Sequence, residues 1–255
     1  AGKRDYAFYF DLIIEKVNPG GILLADNVLW SGKVIEELKV NDKDTPALIE
    51  FNNMVHNDKY KTWSDEKKDI ANAVANIIPN NSSVVLGNIY STKSGTTTEQ
   101  VAESLYSHKD LKVITNDINI VNIFTQFDNA EIWLAGGKVR NIDSAVIGIN
   151  TAEFIKQFKV DYAVVGVSAI DNDGALMDFD YEDVLVSKAI FNHCRKLILV
   201  ADNFKFDSTA PMLIGNISEI DILVTNFKPP SEIIDICNSN NIEIVIASKS
   251  DYEKG

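Results

Sequence analysis

A chain of 255 residues, 45% of them apolar, has the composition of an ordinary globular protein and the length for one large α/β domain or two smaller ones. Its formal charge of −13 argues against non-specific attraction to nucleic acid, because DNA affinity rests mainly on Lys and Arg displacing counterions from phosphates. The longest apolar runs fall far short of a membrane span, and the first residues lack the apolar centre of a signal peptide, so a cytoplasmic protein with no membrane partner is expected.

In chain order, the pattern predicts a strand at 22–25, a helix over 67–78, a strand at 83–86, a helix over 99–106 and strands at 112–114 and 131–134. A helix over 151–158, a strand at 162–165 and a helix over 182–193 follow, and strands at 197–200, 221–224 and 242–245 complete the series. Strands apolar on both faces that alternate with helices imply an α/β fold with a largely parallel sheet and helices on both faces. The polar stretch 57–61 is the best candidate boundary, dividing the chain into 1–62 and 63–255. Cys194 and Cys237 read as free, packed thiols, and His56, His108 and His193 lack metal-ligand spacing.

Most of the polar motifs follow a strand, where open α/β sheets gather their ligands. Gly95, Thr96, Thr97 and Thr98 open the second helix, so backbone N–H groups and hydroxyls converge as an anion cradle; a Thr-x-x-Glu capping box from Thr96 to Glu99 is the alternative. Gly136 and Gly137 permit close backbone approach and positive φ, or simply a tight turn. Lys138, Arg140 and Lys205 are candidate cationic contacts to a phosphate, Arg140 able to fork. Asn116 and Ser168 complete the polar set. Asp178, Asp180, Glu182 and Asp183 stand where a loop becomes a helix, either as charges favoured at its N-terminus or as acceptors for ligand hydroxyls.

Two resemblances account for the two parts. The run Asp26-Asn27-Val28-Leu29-Trp30-Ser31-Gly32-Lys33-Val34 resembles the C-terminal portion of metal-dependent S-adenosylmethionine O-methyltransferases of the catechol type. That resemblance implies a small α/β fragment and a divalent cation on Asp26 and Asn27. The third ligand and the Gly-rich donor loop of the family have no counterpart in 1–62, so no cofactor is expected unless the site is complete.

From about residue 64 to 248, Gly95-Thr96-Thr97, Thr115-Asn116, Ala135-Gly136-Gly137, Gly166-Val167-Ser168 and Asn203-Phe204-Lys205-Phe206 resemble the effector-sensing domain of DeoR-type bacterial repressors, closest to the glycerol-3-phosphate repressor subgroup. The resemblance implies a ribose-5-phosphate isomerase-like main domain, a phosphorylated sugar or polyol as effector with glycerol 3-phosphate first, and a homo-oligomer. Asn88 stands where the family carries Asp, and residues 90–94 are additional before Gly95. No helix-turn-helix is recognisable here, so direct DNA binding is not expected. The alternatives are a sugar-phosphate isomerase-like enzyme, and a remnant of an O-methyltransferase.

Overall fold

The computed structural model describes residues 5, 6, 9, 42, 44–87, 97–128, 130–206 and 208–247. The chain divides into two compact units, Ala1–Ser64 and Asp65–Gly255. In the first, the Asp42 carboxylate accepts the N–H groups of Asp44 and Thr45 at 3.1 and 3.0 Å and so satisfies donors at the start of helix α1 (Asp44–Ile77). Tyr6 meets Phe51 edge to face with ring centroids 5.3 Å apart. The predicted strand at 22–25 and the candidate ligands Asp26 and Asn27 lie outside the described residues. The predicted boundary at 57–61 falls within α1, whose backbone continues to Ile77 without a break.

The second unit is built on a seven-stranded sheet, every strand pairing parallel to its neighbours. In chain order its strands are β1 (Ser83–Leu86), β2 (Leu111–Thr115), β3 (Ala130–Leu134), β6 (Val160–Val165), β9 (Cys194–Ala201), β11 (Ile222–Thr225) and β12 (Glu243–Ile246). Because side chains alternate across a strand, each apolar run feeds two cores. Val85, Ala163, Val165, Leu197, Leu199 and Leu223 face one side, where they pack with α4 (Ile149–Ile155), α5 (Tyr181–Phe191) and α6 (Ser231–Ser239). Val84, Leu86, Val164, Ile198, Val200 and Val224 face the other, with the second-unit part of α1, α2 (Thr97–Ser104) and α3 (Ile118–Phe124).

Two smaller pieces lie outside this sheet. One is the antiparallel hairpin of β4 (Lys138–Arg140) and β5 (Ala145–Ile147); the other joins β7 (Ala169–Ile170), β8 (Ala175–Asp178) and β10 (Met212–Asn216) in the order β10-β8-β7. Across the main sheet the order is β12-β11-β9-β6-β1-β2-β3. The chain therefore builds outward one way from β1 and the other way from β6, and the carboxyl ends of these two neighbours form the topological switch where such sheets bind ligands. Cys194 and Cys237 are free thiols.

Candidate functional site

The strand ends around the switch carry most of the polar motifs. After β2 come Asn116 and Asp117, both wholly buried. The Asn116 amide donates to the Val146 carbonyl at 3.1 Å, which ties the end of β2 to the β4–β5 hairpin. After β6 comes Ser168, 8% exposed, and after β9 a single 3-10 turn, Asn203–Lys205, that presents Lys205. Thr97 and the buried Thr98 open α2. Asn88, Gly95 and Thr96 lie outside the described residues.

Gly136 and Gly137 follow β3 but do not adopt positive φ; among the described residues the glycines that do are Gly148 and Gly174. Close approach is what Gly137 provides: a Cβ there would stand 2.7 Å from Thr151 Oγ1 and 3.1 Å from Val146 Cγ1, whereas one on Gly136 would meet nothing within 4 Å.

Arg140 is engaged by carboxylates in this structure. Its Nε and Nη2 fork onto Asp143 at 3.0 and 2.6 Å, and its Nη1 donates to Asp183 at 2.7 Å and Asp180 at 3.3 Å. Burial works against its charge, but the bonds to Asp143 and Asp183 hold the guanidinium above its ordinary pKa. Lys138 is likewise paired, at 2.8 Å, with Glu182 at the surface. Asp180 is the N-cap of α5 and accepts the Glu182 N–H at 2.7 Å. Burial raises the Asp183 carboxyl to about 6 against the pull of Arg140, and its Oδ1 has no partner.

Asp178 belongs to the acidic cluster noted in the sequence, whereas Lys67, Asp143 and Asp117 were not singled out there. Asp178, wholly buried at the end of β8, accepts Ser168 Oγ at 2.8 Å and the Phe179 N–H at 2.6 Å through Oδ1, while Oδ2 has no partner. Burial raises its pKa, and the charges of Lys205 and Arg140 oppose that shift. Lys67, on α1, has its pKa lowered by burial; Asp202 counters the shift, Lys205 adds to it and Glu99 counters it. Two ammonium groups are thus felt together at the ends of β9 and α2. Asp143 carried no signal beyond its place in a turn, but Asp117, preceding an apolar run, had the signature of an N-cap. Among the described residues no group of three or more His, Cys, Asp and Glu is placed to hold a metal.

A parallel sheet with polar loops gathered at a topological switch is the arrangement at which open α/β domains hold ligands. Residues 62–226 match the DeoR C terminal sensor domain, and the chain belongs to that family. Residues 1–63 match the O-methyltransferase family. The glycerol-3-phosphate regulon repressor of Escherichia coli (strain K12) is 36% identical over 187 residues, which cover 73% of this chain and 72% of that protein. The HTH-type transcriptional repressor CsqR of the same organism is 37% identical over 183 residues, 72% of this chain and 68% of its own. Among solved structures, ribose 5-phosphate isomerase A from Neisseria gonorrhoeae aligns with a TM-score of 0.39 at 13% identity over 55% of this chain. The chain spans about half, 52%, of the length of that enzyme.

Proposed function

We propose that the second unit senses a small phosphorylated polyol, glycerol 3-phosphate before fructose 1-phosphate or ribose 5-phosphate, and that the strand ends at the switch are its binding site. The observation that carries this reading is the pairing of unlike groups in one place. Lys67 and Lys205 supply positive charge beside the start of α2, while the buried acceptors Asp178 and Asp183 stand nearby with unpartnered oxygens. A phosphate is matched by the cations and helix N–H groups, and a hydroxyl-bearing chain by the carboxylates.

In this reading Gly95, Thr96, Thr97 and Thr98 cradle the phosphate with Lys205, and Asn88, Asn116, Gly136, Gly137 and Ser168 line the remainder. Arg140 acts by holding Asp180 and Asp183 in place. No cofactor takes part. Similarity to the glycerol-3-phosphate regulon repressor supports the choice of ligand and a cytoplasmic setting. Self-association is part of the same reading.

Titration calorimetry with the three phosphates tests the site. One of them is expected to bind, and Lys205→Ala to weaken it at least about tenfold, the scale of one lost charge-assisted hydrogen bond. An unchanged affinity in Lys205→Ala would show that the site is misplaced.

A further inference from the structure

Asp117 is a carboxyl shut inside the protein with half of its hydrogen-bonding capacity unused. It is 0% exposed; Oδ1 accepts the Asn119 N–H at 2.7 Å, capping α3, and Oδ2 has no partner. Its own N–H is held by Thr115 Oγ1 at 3.0 Å, and a β-bridge to Ala145 fixes its backbone.

Among the described residues, the charged groups that face it are also acidic: Glu99 from α2 and Asp143 from the β4–β5 turn. Asn119 joins all three, its N–H donating to Asp117 Oδ1 and its side-chain amide reaching Glu99 Oε1 at 3.0 Å and the Asp143 carbonyl at 3.4 Å. Arg140 is forked onto Asp143 and continues to Asp180 and Asp183 on α5. An ionised, buried carboxylate with a bare oxygen is disfavoured among like charges, whereas a protonated one relieves the repulsion and still caps the helix through Oδ1.

We propose that Asp117 is a proton-binding site coupled to the effector: binding of an anionic ligand at the strand ends draws a proton from solvent onto Asp117 Oδ2, so affinity falls as the medium becomes more alkaline. This rests on the anion-binding reading of the same strand ends. The coupling is electrostatic and reciprocal, since an anion beside Asn116 favours the uncharged carboxyl and the uncharged carboxyl favours the anion. Burial, and after it the charge of Glu99, already raise the group to about 7. The O–H bond that forms takes its proton from buffer, and the loss of affinity with rising pH amounts to at most about tenfold per pH unit.

Calorimetry of the intact chain with glycerol 3-phosphate at about pH 8, in two buffers of different ionisation enthalpy, counts the proton. The ligand phosphate is fully ionised there, its second pKa being about 6, so any uptake belongs to the protein. The chain is expected to take up a fraction of a proton and to bind several-fold more weakly at about pH 8.5 than at about pH 7. Asp117→Asn, which retains an N-cap residue as good as Asp, should abolish the uptake and flatten the profile. Glu99→Gln, which removes a negative neighbour, should move the fall in affinity to lower pH, an effect that a purely structural Asp117 would not produce. Equal heats in both buffers, or undiminished uptake in Asp117→Asn, would overturn the proposal while leaving the ligand site standing. Absence of binding by all three phosphates at any pH would overturn the ligand reading, and this one with it.

Discussion

Arg140 sets one positive charge against three carboxylates, two of them nearly inaccessible: the side chains of Asp143 and Asp183 are 4% and 0% exposed. Removing it leaves buried charge without a counter-ion, an error that costs about 3–5 kcal/mol. Arg140→Met is therefore expected to lower the urea midpoint sharply at about pH 7.5. The deficit should shrink on acidification, and the sign follows from Asp183. Its folded pKa of about 6 lies above that of an unfolded carboxyl, so the folded state holds a proton that the unfolded chain gives up. That contribution is fully present below about pH 4 and is lost as pH rises through about 6. Without Arg140 the group is raised further, so low pH rescues the variant. Denaturation curves at about pH 5 and pH 7.5 check this, and an equal deficit at both would contradict the buried-charge account.

At the scale of elements, the two glycines after β3 make a controlled pair. A Cβ at position 137 collides with Thr151 and Val146, side chains of α4 and β5, whereas position 136 is open. Gly137→Ala should cost about 1–3 kcal/mol through overpacking, and Gly136→Ala should be neutral or slightly stabilising through the unfolded chain; thermal melts of the two variants decide it. The same region shows where sequence reading stops. The inner sheet strands were legible because a strand buried on both faces must be apolar throughout, as Val84, Val85 and Leu86 are, whereas the edge strands β3 and β12 are apolar runs that the structure leaves partly exposed. Lys138-Val139-Arg140 was not legible as β4: it is short and largely exposed, and its partner Ala145–Ile147 is specified by tertiary pairing rather than by periodicity. α3 and α6 escaped because they are short, 7 and 9 residues, and leave only about two turns in which a period can show. In the site, the Thr-Asn and Gly-Gly motifs announced themselves by type and by position after strands. Asp143 and Lys67 acquire their roles only through groups distant in sequence: the carboxylates of Asp180 and Asp183 that hold Arg140 beside Asp143, and Lys205 beside Lys67.

For the whole molecule, the charge of −13 bears on what the chain does with DNA. Without a surplus of Lys and Arg, the counterion-release term that dominates nucleic-acid affinity is missing. The purified chain is expected to show no sub-micromolar binding to operator-like duplex in fluorescence anisotropy at about 0.15 M salt, where surface charges are screened over roughly 8 Å. Tight binding under those conditions would mean that these residues hold a recognition surface not evident in their sequence.

The reversal of strand order at β1 also has a consequence in time. One flank of β1 is covered by β2, but the other waits for β6; Ser83 and Asp161, which clasp the two strands by a 2.7 Å bond, are 78 residues apart. A ribosome adding about 5–20 residues per second exposes a largely apolar, half-paired strand for several seconds before its second neighbour emerges. Nascent chains of this protein thus pass through a stage in which the future junction of β1 and β6 is an open sheet edge, and chaperone capture or mispairing competes with folding most strongly there.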